Sequence, residues 1–340
     1  MIKTSIVILN WNGKQHLRQF LPSVIKHTDN EDTEIVVADN GSTDDSLDFL
    51  KSEFPDIKLI ELEKNYGFAE GYNKALQQVE TEFYILLNSD VEVSENWEQA
   101  LIDILEKDPA IAAVMPKIRS FHEKENFEYA GAAGGFIDQY GYPFCRGRIL
   151  DEIEKDEGQY DQLTEVFWAT GACLAIRAKL FHDLDGFDGF FFAHMEEIDL
   201  CWRLKNKGYK IMFTSESSVF HVGGGSLPNE HPYKLFLNFR NNLILLYKNL
   251  PGNNLTPILF SRMILDGIAA IKYLLSLKPI HFYVVLKAHF SFYKAIRKYR
   301  KFRKVNQEHN KSYPTQVFKG SMIFNFYLRG KKKFSQLDIN

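Results

Sequence analysis

The chain has 340 residues, of which 45% are hydrophobic and 25% charged, and this composition argues against extensive disorder. Its length predicts one large α/β domain with an appendage, or two domains. The net charge of −3 combines an acidic body, with 27 Lys/Arg against 42 Asp/Glu in residues 1–286, and a basic tail, with 14 against 2 in residues 287–340. Cys145, Cys173 and Cys201 are widely spaced, which indicates neither a zinc site nor a disulfide framework.

The sequence has no segment that we expect to be a signal peptide or a membrane span. Met1-Ile2-Lys3 runs straight into a strand-like segment, without a basic-then-apolar layout. Charged residues interrupt the apolar stretch at 255–293, so no window reaches 18 uncharged apolar residues. We therefore predict a cytoplasmic chain.

Short apolar runs alternate with helical periods through residues 1–116. Strands are predicted at 5–9, 34–38, 57–61, 83–87 and 112–115, and helices near 17–25, 47–54, 67–79 and 97–105. Further strands are predicted at 165–168, 172–176 and 210–214, a helix at 196–206, and mainly helices beyond residue 234. This alternation indicates a doubly wound, mostly parallel sheet, with loops and short strands at 117–164 covering one side of its site.

Three of the predicted strands end in polar clusters. The first runs into Asn10-Trp11-Asn12-Gly13, the second into 39–44, and the fourth into Asn88-Ser89-Asp90. Doubly wound sheets bind ligands at the carboxyl ends of their strands. We therefore expect the three clusters to converge on one edge of the sheet.

These clusters belong to seven ordered sequence blocks. The blocks are SIVILNWNG at 5–13, VVADNGSTDDS at 36–46, NYGFAEGYNKA at 65–75, NSD at 88–90, GACLAIR at 171–177, GFD at 186–188 and EEIDLCWR at 196–203. Together they resemble the family 2 glycosyltransferases of the GT-A fold, over about residues 3–245. The resemblance is closest to the rhamnosyltransferase-like members that build bacterial surface polysaccharides.

This resemblance implies a fold and a reaction. The fold is a GT-A α/β domain with a doubly wound mixed sheet that binds a nucleotide-sugar at residues 1–230. The helical pattern and the basic charge of the tail, rather than the resemblance, predict a mainly helical, membrane-associating region at 231–340. The reaction is an inverting transfer of a sugar, with rhamnose as a candidate, from a nucleoside diphosphate to a hydroxyl of a glycan or lipid-linked glycan. We expect no nucleic-acid partner.

Asp39 is the predicted base-binding residue. The resemblance implies that its carboxylate accepts a hydrogen bond from the base ring, so that a wrong base would leave a buried acceptor unpaired. An ordinary Asp-Asn-Gly turn is the alternative. The other predicted donor contacts are Asn10, Asn12, Asn65, Glu70, Asn73, Asn88, Ser89 and Arg240. For the residues of block 65–75 the alternative is a solvated helix face.

Asp90 is the predicted ligand of a divalent metal, Mn²⁺ or Mg²⁺. A diphosphate needs a hard cation held by one or two carboxylates. The usual pattern in this fold is Asp-x-Asp, and Asn88 stands at the first position here, so the assignment depends chiefly on Asp90. His221, shortly before the glycines at 223–225, is a candidate helper. The alternatives are a structural histidine and, for Asp90, a helix N-cap before residues 91–105.

The cluster Glu196-Glu197-Ile198-Asp199 is the strongest catalytic candidate. Clustered carboxylates raise one another's proton affinity, which suits a general base that deprotonates a sugar hydroxyl. The family pattern is Glu-Asp-x-Asp with the second acidic residue as base, so the resemblance assigns this role to Glu197, with Asp199 as the fallback. A helix start whose carboxylates satisfy the helix dipole is the alternative.

The basic tail predicts peripheral contact with the inner face of the cell membrane. Residues 257–293 combine apolar residues with charges, and residues 294–304 contribute seven basic side chains in eleven. Such a pattern suits an anionic membrane surface and a lipid-linked acceptor. The alternative is a helical subdomain with a solvated basic face.

Two other functions remain open at this point. A sugar-nucleotide pyrophosphorylase would need a Gly-rich, basic loop after the first strand, which residues 10–13 do not supply. A catalytically silent scaffold in a polysaccharide assembly complex is compatible with the fold, although Asp39, Asp90 and Glu197 together argue against it.

Overall fold

A computed structural model of the chain describes residues 2–28, 30–223, 231–307, 313–314 and 316–339. Its strands are β1 (Thr4–Asn10), β2 (Thr33–Asp39), β3 (Lys58–Glu61), β4 (Phe83–Asn88), β5 (Val91–Val93), β6 (Ile111–Ser120), β7 (Gly135–Asp138), β8 (Pro143–Cys145), β9 (Arg148–Ile149), β10 (Glu152–Ile153), β11 (Thr164–Val166), β12 (Cys173–Arg177), β13 (Lys210–His221) and β14 (Val317–Phe318). Its α-helices are α1 (Lys14–Lys26), α2 (Ser46–Glu53), α3 (Gly67–Leu76), α4 (Trp97–Lys107), α5 (Ala178–Asp183), α6 (Glu196–Asn206), α7 (Pro232–Asn249), α8 (Gly252–Leu275), α9 (Pro279–Gln307) and α10 (Met322–Tyr327).

The main sheet has the order β11-β13-β6-β12-β4-β1-β2-β3, with β5 paired to β13. Strands β1 to β4 run parallel, whereas β12 is antiparallel to both β4 and β6. The central strands read as continuous apolar runs because both of their faces are buried, as in Phe83–Leu87. This sheet confirms the predicted mixed, doubly wound α/β fold.

The chain also has a second, smaller sheet of five strands. Its order is β10-β9-β8-β7-β14, so that the short strand β14 from the tail pairs in parallel with β7. Leu245 and Leu246 of α7 lie in the same hydrophobic core as the main sheet, together with Val317 and Phe318 of β14. The C-terminal region is mainly helical, as expected, but it shares one core with the rest of the chain. The predicted boundary at residue 230 lies outside the described residues.

Several element bounds differ from the sequence prediction. Helix α3 ends at Leu76 rather than 79, and β13 continues to His221. The N-cap alternative for Asp90 is wrong, because the short strand β5 follows it and α4 begins only at Trp97, after Asn96. None of the described helices is long and apolar enough to span a membrane.

Candidate active site

The three polar strand ends meet at one edge of the main sheet. Asn10 pairs in register with Asp39, and β4 ends beside β1 at Asn88. A Cβ atom added to Gly13 would lie 2.4 Å from Asn10 Oδ1 and 3.5 Å from Ser89 Oγ. The glycine therefore allows the clusters after β1 and β4 to approach each other closely.

Asp39 is buried at this edge, with 1% of its surface exposed. Its carboxylate accepts hydrogen bonds from Asn10 Nδ2 at 3.0 Å, from the Ser42 hydroxyl at 2.6 Å and from the Ser42 backbone N–H at 2.8 Å. Asn12 joins the same unit, since its N–H donates to Ser42 Oγ and its Oδ1 accepts from the Thr43 N–H at 2.7 Å. The turn after β2 thus exists, and it orients the carboxylate.

The start of α3 lies next to this unit. Asn65 Oδ1 accepts from the Gly67 N–H at 2.7 Å and from the side-chain amide of Asn40 at 3.2 Å. Asn73 donates to the Phe187 carbonyl at 2.7 Å and accepts from its N–H at 2.9 Å. Both amides therefore fasten α3 to neighbouring loops. Glu70 is more exposed and lies 3.8 Å from Lys74.

Asp90 and His221 form a pair at the same edge. The antiparallel pairing of β5 with β13 brings them together, with His221 Nε2 at 3.2 Å from Asp90 Oδ1 and 3.5 Å from Asn88 Nδ2. His221 Nδ1 lies 3.2 Å from Glu128 Oε2. Sequence reasoning missed Glu128, and no motif marks it. The glycines 224 and 225 after this pair lie outside the described residues.

The electrostatics of this pair differ from those of free side chains. Burial alone would raise the pKa of Asp90, but its hydrogen bond to His221 and the charge of His221 outweigh burial and hold the pKa below its ordinary value. Burial would lower the pKa of His221, but the two carboxylates of Asp90 and Glu128 outweigh it and raise this pKa to about 10. Asp90 is consequently an anion that faces an imidazolium.

Two adjacent glutamates begin α6. Glu196 is buried and Glu197 is partly buried, and each has an Oε2 atom without a hydrogen-bond partner among the described residues. Burial raises the pKa of Glu197 to about 7, against the effect of nearby backbone N–H groups. Burial and the neighbouring Glu197 raise the pKa of Glu196 well above its usual range. The removal of water thus raises the pKa of these carboxyl groups more than the positive end of the helix lowers it.

Asp199, two residues after Glu197, has a different environment. It is fully buried, and its Oδ2 accepts from Arg203 Nε and from Lys248 Nζ, both at 2.8 Å. Its Oδ1 accepts from Asn249 Nδ2 at 2.8 Å. Both oxygens therefore bind α6 to α7, whereas the oxygens of this cluster that have no hydrogen-bond partner among the described residues belong to Glu196 and Glu197.

The loop before α6 is held in a strained conformation. Phe192, His194 and Met195 have φ angles of 65°, 68° and 74°, in the left-handed region that side chains other than glycine avoid. Arg240, a predicted donor contact, donates to the Phe190 carbonyl at 2.8 Å, and its guanidinium lies 4.7 Å from the Phe190 ring. Arg240 is thus engaged with this loop.

Asn241 is the residue that sequence reasoning missed most clearly. Its buried Nδ2 lies within 3.0 Å of the carbonyl oxygens of Phe191, Ala193 and His194. The loop also connects to α3, because the carbonyl of Phe192 accepts from the N–H of Phe68 at 2.7 Å. The segment before Glu197 therefore joins α7 on one side and the predicted donor block on the other.

The mixed sheet with its acidic carboxyl edge has the architecture of the GT-A glycosyltransferases, a class that the comparisons with known proteins bear out. The chain belongs to glycosyl transferase family 2, whose family model matches residues 5–185. It is 26% identical over 234 residues to N-acetylglucosaminyl-diphospho-decaprenol L-rhamnosyltransferase of Mycobacterium tuberculosis, covering 64% of this chain and 75% of that protein.

Solved structures share the fold. GalNAc-T7 with UDP, GalNAc and Mn²⁺ has a TM-score of 0.57 and 20% identity, covering 72% of this chain and 48% of that one. Residues 1–349 of TarS from S. aureus, in complex with UDP-GlcNAc, have a TM-score of 0.54 and 16% identity, covering 92% of this chain and 93% of that one. These likenesses extend the fold over most of the present chain.

Proposed function

We propose that this glycosyltransferase moves a sugar, with inversion, from a nucleoside diphosphate to a hydroxyl of a lipid-linked glycan. The observation that carries the proposal is the unpartnered Glu197 oxygen on a carboxyl whose pKa is raised to about 7. Rhamnose is the sugar to test first, since the relative from M. tuberculosis is named as a rhamnosyltransferase acting on a diphospho-decaprenol glycan. Such an acceptor would be reached from the cytoplasm, at the inner face of the cell membrane.

Glu197 is the proposed general base. Its Oε2 takes the proton of the acceptor hydroxyl while the hydroxyl oxygen attacks the anomeric carbon and the bond to the diphosphate breaks, its electron pair leaving with the nucleoside diphosphate. A carboxyl that titrates near pH 7 is suited to this transfer, because a base works best when its pKa lies near the working pH. Asp199, the fallback candidate, supports this step in our proposal by holding α6 in place.

Asp39 is the proposed reader of the base. Three hydrogen bonds fix its carboxylate, and the buried Asn10 Oδ1 beside it has no partner within the described structure. A base ring that donates to this group would satisfy a buried acceptor, whereas a base without that donor would leave it unpaired. Asn12 supports the same turn.

The remaining predicted donor contacts divide into two groups. Asn88 and Ser89 are partly exposed at the sheet edge and, with Glu70, are proposed to touch the donor directly. Asn65, Asn73 and Arg240 already bond the protein backbone, so we propose that they shape the donor pocket.

Asp90 and His221 would hold a divalent metal, Mn²⁺ or Mg²⁺. The donor set fits once His221 has lost its extra proton, because only a neutral imidazole nitrogen binds a metal. Its Nε2 atom lies 3.2 Å from the ionised Asp90 carboxylate, at the edge where the diphosphate is expected. Two protein donors suit an ion that keeps coordination positions for phosphate oxygens. Within the described ranges, no group of three His, Cys, Asp or Glu side chains is arranged to hold a metal. When bound, the ion would stabilise negative charge on the leaving diphosphate.

The proposal is tested with purified protein, manganese or magnesium, and UDP-, GDP- and dTDP-linked sugars that include rhamnose. We expect one donor to bind and to be transferred to a lipid-linked glycan, with the anomeric configuration inverted by NMR. Glu197→Gln should bind this donor normally and lose about 10²- to 10⁴-fold in kcat. Failure of every donor to bind would overturn the proposal, and transfer by Glu197→Gln at the wild-type rate would overturn the base assignment.

A further inference from the structure

The outer side of the C-terminal helices concentrates exposed hydrophobic side chains. Twelve of the 23 large hydrophobic residues that are exposed in the described structure lie between residues 260 and 293, about a tenth of the chain. Scattered exposed hydrophobic residues are normal, but a contiguous group of this size marks a surface that binds something. We refer to the exposed side of α8, the first half of α9 and the turn between them as the apolar platform.

Helix α8 supplies one half of this platform. Phe260, Ile264, Ile268, Ile271 and Leu275 recur every three or four residues, so they share one face of the helix. The opposite face carries the buried residues Ile258, Arg262, Asp266 and Ala270, which face the protein body. The turn after α8 is the most exposed part, since Leu275 and Leu277 expose 79% and 89% of their surface.

Helix α9 supplies the other half and changes character along its length. Its exposed face begins with apolar and aromatic side chains at Ile280, Tyr283, Leu286, Phe290 and Tyr293. From residue 294 onward the exposed positions of the same helix are mostly basic, among them 294, 297, 298, 300, 301 and 304. The platform therefore continues directly into a positively charged surface.

Charge decides which partner suits this surface. Residues 252–307 contain eleven Lys or Arg residues and one carboxylate, Asp266. Asp266 is fully buried and pairs with Arg262 at 2.7 Å and with His289 at 3.2 Å. The exposed part of these helices is thus apolar and cationic without an acidic side chain, which disfavours pairing with a second copy of itself and favours an anionic partner.

A short helix enlarges the apolar area beside α8. Phe324, Tyr327 and Leu328, in and just after α10, are exposed, and the Lys272 ammonium of α8 lies 5.7 Å from the Tyr327 ring. Aromatic side chains next to lysines are common at the level of lipid headgroups. We infer that the apolar platform inserts into the interface of an anionic lipid bilayer while the basic half of α9 binds the headgroups.

The inner side of α9 contacts the loop that precedes the proposed catalytic base. The link between docking and catalysis that follows from this contact rests on the proposed function. Phe292, Ala295 and Tyr299 form one buried cluster with Leu243 of α7 and with Phe191, in the loop before Glu197. The same helix therefore faces the bilayer on one side and contacts the catalytic loop on the other. Bilayer docking would bring the proposed base close to an acceptor sugar carried by a lipid.

The test is flotation of the full chain with vesicles of phosphatidylcholine alone or with about one-third phosphatidylglycerol. We expect the wild type to bind the anionic vesicles, and to bind them more weakly in high salt.

Two variants separate the apolar and the basic part of the surface. Leu275→Asp/Leu277→Asp should lower the vesicle partition coefficient at least about tenfold, because it places charges in the inserted turn. Lys294→Gln/Arg297→Gln/Lys301→Gln should lower it by about a hundredfold, since each basic side chain near the surface is worth about fivefold. Leu163→Asp, at an exposed leucine outside the platform, is the matched control and should bind like the wild type.

Two further measurements keep the outcomes distinct. Transfer to a water-soluble acceptor should be the same in the wild type and in Leu275→Asp/Leu277→Asp, so that loss of docking is separated from failure of the transferase proposal. Light scattering of the lipid-free protein tests the alternative, in which a second copy of this chain covers the apolar platform. A wild type that fails to float with anionic vesicles would overturn the inference. It would also be overturned if the wild type were a dimer without vesicle binding and Leu275→Asp/Leu277→Asp were a monomer.

Discussion

At the scale of single residues, the site depends on carboxyl groups kept in unusual states. Asp90 is held as an anion by His221, whereas Glu196 and Glu197 resist ionisation because water is largely excluded from them. Pairs of titratable groups with pKa values driven apart by their surroundings are typical of acid–base sites. The unpartnered oxygens of the two glutamates are costly for folding, and a substrate hydroxyl could satisfy one of them.

The first prediction concerns pH. A general base acts only when ionised, so kcat/KM should rise with pH through about 7, where the raised pKa of Glu197 lies, and level off above it. Since the two glutamates are neighbours, the apparent pKa belongs partly to the pair. The measurement is a pH–rate profile with a saturating donor.

The neighbouring glutamate provides the control for this profile. Glu196→Gln should keep a rising limb and most of the activity, because the proton acceptor is still present. If Glu196→Gln removed the limb while Glu197→Gln preserved it, the roles of the two residues would have to be exchanged.

At the scale of elements, the loop before α6 connects helices that are distant in the sequence. Three residues of this loop have positive φ angles, a backbone conformation that is unfavourable unless other contacts hold it. Arg240 and Asn241 of α7 supply such contacts, since their side chains donate to carbonyl groups of the loop. Asn241 is therefore a positioning residue for Glu197 in our interpretation. It contacts neither the donor nor the acceptor in the proposed mechanism.

The prediction at this scale is that Asn241→Ala lowers kcat by about tenfold or more, while donor affinity changes little. Without its three hydrogen bonds the loop should relax and water should reach Glu197, so the rising, acid-side limb of the pH profile should move down toward the ordinary carboxyl pKa. The measurements are kcat, donor affinity and the pH profile. Asn242→Ala is the matched control, because the adjacent buried amide bonds the Gly141 carbonyl instead of the loop. A fall in stability with an unchanged profile would argue against the positioning role.

At the scale of the whole molecule, local patterns predicted the main sheet and its polar edge. Apolar runs identify β1, β2 and β4 because these strands are buried on both faces, and parallel strands necessarily end at the same edge. The sequence did not predict contacts that depend on distant segments. Glu128 meets His221, β14 pairs with β7, and Lys248 reaches Asp199 only after the chain has folded back on itself.

The C-terminal helices also depend on contacts between distant segments that the sequence does not reveal. Periodicity and charge predicted an amphipathic, basic tail, but they did not indicate which face would be covered by the body. The buried pair Arg262 and Asp266 decides this, because Arg262 also bonds the carbonyl of Tyr140 and the side chain of Asn242. One face of α8 is thereby fastened to the catalytic body, and the apolar platform faces outward.

The last prediction concerns this anchor. Arg262→Met removes the guanidinium from the buried Asp266 and leaves His289, at 3.2 Å, beside it. Loss of this cation should lower the free energy of unfolding by about 3–5 kcal/mol. Arg262→Met/Asp266→Leu should recover part of the loss, since replacing both charges removes the uncompensated carboxylate. Urea unfolding followed by circular dichroism measures both variants, with Lys294→Gln as an exposed control that should unfold like the wild type. A single variant as stable as the wild type would mean that the helices are held by apolar packing alone, and the outward orientation of the platform would then not depend on this ion pair.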